Sequence, residues 1–274
     1  MNQAGNTSWT LDTLFVHGTE RNRHTSTAGN PTVQPIYTST TYLHRDAETL
    51  DQAFKGTTDG KAAFVYARQG NPNSSALENV LARAEGGVGA VAFGSGMAAI
   101  HAALLAAGLV QGSKIVAAKD LYGATISLLR KIFIPLGIEV ITLDLCCADA
   151  STRIRDEQPD VVYVETLSNP LVKVIDLPAI AAAAQEVGAI TVVDSTFTTP
   201  YLVRPIEYGF DLVVHSATKY LGGHGDSTAG VVISAKNALL DTLRSYAAIL
   251  GAVLSPFESN MIIRGLRTLP LRIE

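Results

Sequence analysis

DLVVHSATKYLGGHGDSTAG, Asp211 to Gly230, is the stretch on which the reading of the whole chain turns. Its first residues are a short, nearly continuous apolar run that stops at Ser216, Thr218, Lys219 and a pair of glycines. Apolar runs of this length bounded by turn residues read as strands covered on both faces, and such strands belong to parallel sheets. Lys219 therefore stands where the backbone leaves a buried sheet. An amine set among apolar neighbours is costly unless something uses it, so the expectation is a buried, functional lysine.

Similar runs recur through the chain. AVAF (90–93), KIVAA (114–118), IEVITLD (138–144), VVYVET (161–166), AITVVDST (189–196) and GVVISA (230–235) all read as strands. Between them lie stretches of helical texture at 75–84, 96–107, 125–136 and 177–187. Alternating strands and helices predict an α/β fold, a mostly parallel sheet covered by helices on both faces. Binding groups in such sheets gather outside the carboxyl ends of the strands. Residues 1–60 differ: NPTVQPIYTSTTYLHRDAETL has two prolines and alternating β-formers, and it reads as an extended arm. Val33, Ile36, Tyr37, Tyr42 and Leu43 need a surface to cover them, such as a second subunit.

Composition narrows the classes. The chain has 274 residues, enough for one large domain, with 47% hydrophobic residues and a formal charge of −4. That balance, with no basic tract, gives no footprint for nucleic acid. The longest apolar stretch, 97–110, is too short to span a bilayer. The start MNQAGNTSWT lacks a secretory pattern, so the setting expected is cytoplasmic. The only cysteines, Cys146 and Cys147, are adjacent and make no disulfide framework. His224 and Asp226 have no third ligand at suitable spacing, so no metal is expected.

Three features stand at strand ends. GSGMAAI (94–100) places glycines before a helix, where free N–H groups and the positive dipole end face any anion. Taken alone, Gly-Ser-Gly is as often a tight turn capped by Ser95. Asp194 follows one strand and merely caps a turn in many proteins. Ser216, Thr218 and Lys219 follow the next. Together they supply an amine for an imine, an acid for a pyridinium proton, and a cradle for a phosphate, which is what pyridoxal 5′-phosphate requires. A dinucleotide-dependent oxidoreductase is the weaker alternative, because it gives Lys219 and Asp194 no joint task.

At these positions the chain resembles the Cys/Met-metabolism, or trans-sulfuration, family of fold-type I pyridoxal-phosphate enzymes. The matching words are YARQGNPN (66–73), FGSGMAAI (93–100), DLYGAT (120–125), ETLSNPL (165–171), VVDSTFTTP (192–200), VVHSATKYLGGHGD (213–226) and GAVLSPFESNMIIRGLRTLPLRI (251–273), in the family's order. The resemblance implies that Lys219 carries the cofactor and Asp194 binds its pyridine nitrogen. It implies that Tyr122 stacks on the ring and assists the leaving group, with Asn169 near the ring oxygen. The N–H groups of Gly96 and Met97 hold the phosphate beside Ser95, with hydroxyl contacts from Ser216 and Thr218. Tyr66 and Arg68 are donated to a neighbouring subunit of a homodimer or homotetramer.

The implied chemistry is γ-replacement or γ-elimination on cystathionine, methionine or O-acylhomoserine, with β-elimination where the leaving group sits on Cβ. GHGDSTAG (223–230) is similar to methionine γ-lyase and cystathionine γ-lyase/synthase relatives. Ala124, where methionine γ-lyases carry cysteine, weakens the methionine γ-lyase reading and favours a cystathionine γ-synthase/γ-lyase-like enzyme. The implied division is an arm (1–60), a cofactor-binding large domain (61–254) and the start of a helix into a further domain (255–274). A carboxyl-terminal small domain that carries the family's carboxylate-clamping arginine is expected to be missing. A cofactor-binding protein impaired in turnover is the corresponding alternative.

Overall fold

The computed structural model describes residues 9–19, 31–55, 57–58 and 61–274. Seven strands form the main sheet: β1 (Gly89–Phe93), β2 (Lys114–Ala118), β3 (Glu139–Leu143), β4 (Val161–Glu165), β5 (Ile190–Asp194), β6 (Leu212–His215) and β7 (Gly230–Ser234). Their spatial order is β1-β7-β6-β5-β4-β2-β3. Neighbours are parallel except β7, which runs antiparallel to both β1 and β6. Its apolar run is buried on both faces like those of β4 and β6, so hydropathy alone carries no sign of its direction.

Side chains alternate between two cores, as the two-residue strand period requires. Val162, Val164, Val193 and Val213 face one cluster, against α1 (Leu11–His17), α3 (Pro72–Glu85), α6 (Ala150–Glu157), α7 (Leu177–Glu186) and α10 (Pro256–Leu266). Val161, Tyr163, Val192, Leu212 and Val214 face the other, against α4 (Gly96–Ala106) and α9 (Asn237–Leu250). Four short helices complete the list: α2 (Ala47–Phe54), α5 (Gly123–Leu128), α8 (Thr199–Leu202) and α11 (Leu269–Ile273). The α/β sheet covered on both faces is the architecture expected.

Local differences have local causes. The helix expected over 75–84 starts earlier, at Pro72, because the Asn71 side chain accepts from the N–H of Asn73 and Ser74 and Ser74 returns the bond. The helical texture at 125–136 is α5, then a π turn (Leu129–Phe133), then a 3-10 turn (Ile134–Leu136) that ends at Gly137 with φ 84°. Pro135 lacks the N–H needed to continue an α-helix. The amino-terminal stretch read as an extended arm holds α1 and α2, capped by Thr10 and Asp46. Parts of that arm, residues 1–8, 20–30, 56 and 59–60, lie outside the described residues.

Candidate active site

The chain order reverses between β2 and β4, since β3 lies on one side and β5 and β6 on the other. Parallel sheets open a crevice at such a point, outside the carboxyl ends of the strands. The segments that leave β2 and β4 carry Tyr122 and Asn169. Next to them, Glu165 and Asp194 are register partners at the ends of β4 and β5. Both share the strand parity of Tyr163 and Val192, so both lie on the α4 side of the sheet.

Asp194 is held from several directions. The Thr196 N–H donates to its Oδ1 at 2.9 Å, and the Thr196 hydroxyl accepts from the Ser216 N–H at 2.8 Å. The Thr166 N–H donates to the Asp194 carbonyl, while Thr166, Thr198 and Ser195 hydroxyls link at 3.0 and 2.7 Å. Burial pushes the Asp194 carboxyl up, against the lowering effect of its bonds to Thr196 and the charge of His215. Sequence reading did not single out Thr196. A threonine two residues after a strand-end aspartate is the available signal, because Asp side chains accept from the N–H two residues on.

The start of α4 meets this cluster from above. Ser95 caps the helix by accepting from the Ala98 N–H at 3.1 Å, so the N–H groups of Gly96 and Met97 occupy the first turn without an intrahelical acceptor. A Cβ on Gly96 would lie 2.7 Å from Ser216 Cβ, and one on Gly230 would lie 2.1 Å from the Ser95 carbonyl oxygen. Glycine at both positions lets the helix end seat directly over β6 and β7. In GSGMAAI, Ser95 is the helix cap, and the cap leaves two N–H donors open.

Lys219 lies in the turn after β6. Its N–H donates to the Ser216 carbonyl at 3.0 Å and its carbonyl accepts from Gly223 at 2.7 Å. Its side chain is exposed, which corrects the expectation of a lysine buried among apolar neighbours. The turn carries it past the end of the sheet, and Ala217, fully buried, fills the apolar space instead. The Thr218 hydroxyl donates to the Ala229 carbonyl at 3.1 Å and accepts from the Ala229 N–H at 3.0 Å, tying the loop to β7.

Tyr122 is 47% exposed as a residue, while its N–H donates to Glu165 Oε1 at 2.7 Å. Asn169 is partly buried and joined to Pro170 by a cis peptide. Burial pushes the Glu165 carboxyl up to about 7, the charge of Asp194 adds to this, and the N–H groups of Tyr122 and Asn169 oppose it. Tyr66 and Arg68 form a separate pair near the end of α9. The Arg68 guanidinium lies 5.4 Å from the Tyr66 ring centre, and its Nη1 donates to the Ala248 carbonyl. His224 Nδ1 lies 2.7 Å from the Gly222 carbonyl, and Asp226 pairs with Arg264 at 3.6 Å. Among the described residues no cluster of His, Cys, Asp or Glu is placed to hold a metal ion. No helix among them is long and apolar enough to cross a membrane.

Comparison with known proteins places this arrangement. The chain is 44% identical over 211 residues to cystathionine beta-lyase of Lactococcus lactis subsp. cremoris, covering 77% of this chain and 55% of that protein. It is 38% identical over 268 residues to L-methionine gamma-lyase of Fusobacterium nucleatum subsp. nucleatum, covering 96% and 65%. The crystal structure of cystathionine gamma synthase from Xanthomonas oryzae pv. oryzae, in complex with aminoacrylate and cysteine, superimposes with a TM-score of 0.86 at 34% identity, covering 97% and 65%. The chain thus spans 55% to 65% of the length of these relatives. The model of the family described as Cys/Met metabolism PLP-dependent enzyme matches residues 12–274, and the chain belongs to that family.

Proposed function

We propose that this chain is a pyridoxal-phosphate-dependent carbon–sulfur lyase or transferase acting on cystathionine, methionine or an O-acylhomoserine-type amino acid. One observation carries this reading: a buried aspartate, a helix end with open N–H groups and a lysine-bearing turn meet at one end of the sheet. The residues fit the cofactor. The absence of a side chain on Gly96 lets the first turn of α4 approach Ser216 closely, which brings its open N–H groups beside the Ser216 hydroxyl. The Asp194 carboxyl, raised by burial, would be stabilised in its charged form by a cationic ring nitrogen. When bound, the cofactor supplies an electron sink for charge developing at the substrate Cα.

The chain's own groups have separable tasks in this reading. Gly96 and Met97 hold the phosphate with backbone N–H groups, with Ser216 beside them and Thr218 fixing the loop. Asp194 holds a proton on the ring nitrogen. The Tyr122 ring and Asn169 would help hold the cofactor ring. The Lys219 amine would hold the cofactor and would move the proton at the substrate Cα. Tyr66 and Arg68 serve a second copy of the chain in a homodimer or homotetramer. The cofactor-binding unit is residues 61–254, in the reducing cytoplasm where Cys146 and Cys147 remain thiols.

The test is direct. The purified chain is mixed with pyridoxal 5′-phosphate, reduced with borohydride and mapped by mass spectrometry, with Lys219→Ala alongside. The cofactor mass is expected on Lys219 and nowhere in the variant; a label elsewhere overturns the reading. Incubation with L-cystathionine then separates the branches, pyruvate marking β-elimination and 2-oxobutyrate marking γ-elimination.

A further inference from the structure

The segment that carries Tyr66 and Arg68 borrows its order from the arm between α1 and α2. The Tyr42 N–H donates to the Val65 carbonyl at 3.2 Å, and the Ala67 N–H donates to the Thr40 carbonyl at 2.8 Å. Thr41 and Tyr66 are antiparallel bridge partners between those bonds. His44 Nε2 lies 3.1 Å from the Phe64 carbonyl, and the Tyr42 and Phe64 rings lie 5.7 Å apart. A two-stranded pairing of this size is marginal in water by itself.

Its anchor stands at the far end of the same stretch, at Asn73. This residue lies in the first turn of α3 and is fully buried. The Asn71 side chain caps that helix, so the Asn73 amide is left for other partners. Asn73 Nδ2 donates to the Pro35 carbonyl at 2.9 Å, and Oδ1 accepts from the Tyr37 N–H at 2.9 Å. One buried amide grips two peptide groups of the arm, as a neighbouring strand would. Two bonds flank it. Gln34 Nε2 donates to the Pro72 carbonyl at 2.8 Å, and Asn260 Nδ2, from α10, donates to the Gln34 carbonyl at 3.2 Å. A buried amide is costly without partners, and the arm supplies both of these.

We propose that Asn73 is a positioning residue: by clamping the arm at Pro35 and Tyr37 it aligns residues 40–42, which hold Tyr66 and Arg68 in place. The inference rests on the reading of Tyr66 and Arg68 as serving the cofactor of a second copy. The arm runs antiparallel to residues 64–73 and is bonded to them at both ends. Fixing one end lowers the entropy cost of closing the other, because only a short free stretch remains between them.

The experiment is amide hydrogen exchange of the cofactor-free chain, with the amides of β5 as internal reference. In the parent, Tyr37, Tyr42 and Ala67 are expected to be protected about tenfold or more beyond exposed turns. Asn73→Ala is expected to lower protection at Tyr42 and Ala67 about tenfold relative to β5. Affinity for pyridoxal 5′-phosphate is read by fluorescence quenching. Asn73→Ala is expected to weaken it about tenfold in the parent, and hardly at all in a chain carrying Tyr66→Phe and Arg68→Ala. Unchanged protection at Ala67, a loss shared equally by β5, or equal affinity losses in both backgrounds each overturns the proposal. If Asn73→Ala does not fold, Gln34→Ala removes one flanking bond and is expected to lower Ala67 protection about threefold. No change there overturns the proposal as well. Exchange is measured without cofactor, so its failure is distinct from a failure to label Lys219.

Discussion

Two buried glutamates lie on opposite sides of the same sheet, and they are buried on different terms. Glu85, on α3, has its Oε1 at 2.6 Å from His215 Nε2, with both side chains fully enclosed. Glu165 lies on the α4 side, faces Asp194 and accepts from the Tyr122 N–H. Glu85 has a basic partner at Oε1, so its burial is compensated at that oxygen. Its Oε2 and His215 Nδ1 are buried without a hydrogen-bond partner among the described residues. Glu165 has a like-charged neighbour, so its burial is compensated only in part. Complementary burial marks a pair that holds the fold together, whereas opposed burial marks a place kept for chemistry.

Removing the complement should have the larger effect. His215→Ala leaves the Glu85 carboxylate enclosed without its partner, and a loss of about 3–5 kcal/mol is expected in denaturant unfolding. A loss under 1 kcal/mol would mean that the two sides are not so different.

The opposed side predicts a pH response. The Glu165 carboxyl is raised from about 4.5 to about 7, so the folded state binds more protons than the unfolded chain between those values. Its contribution is fully present below about 4.5 and is lost as pH rises through about 7. The ionised form thus costs about 3 kcal/mol by this argument. Glu78 is raised to about 7 and Asp194 is raised, both chiefly by burial, with the same sign. Unfolding free energy of the cofactor-free chain should therefore fall as the pH is raised from about 5 to about 7.5, and Glu165→Gln should flatten the curve. A rise over that range would sink the argument.

Smaller effects sharpen the picture of the site. Gly96→Ala puts a methyl 2.7 Å from Ser216 Cβ, and displacing the helix end should cost about 1–3 kcal/mol and weaken phosphate binding. Thr196→Val leaves the Ser216 N–H without its acceptor, an expected loss of about 1–2 kcal/mol in thermal unfolding. If Thr196→Val proved more damaging than His215→Ala, the contrast between the two sides would be reversed.

Much of the site was legible in the sequence because its parts are punctuated. Ser95 between glycines, Asp194 at the end of an apolar run, and Lys219 after Ser216 each break a hydrophobic pattern where a strand must end. Glu165 breaks such a pattern too, but a glutamate at a strand end announces nothing about the N–H group of Tyr122. That group lies on another segment, and only the folded crevice brings it to the carboxylate.

The sequence by itself determined the strands, the two-faced burial and the residues at the strand ends, because hydrophobic period and turn chemistry act over a few residues. Only the tertiary structure decided that β7 runs against its neighbours, that Lys219 is exposed, and that Glu85 meets His215 while Glu165 meets Asp194. Strand direction, exposure and charge pairing depend on contacts between segments far apart in the chain. No local pattern encodes them, and their energies appear only when the sheet is assembled.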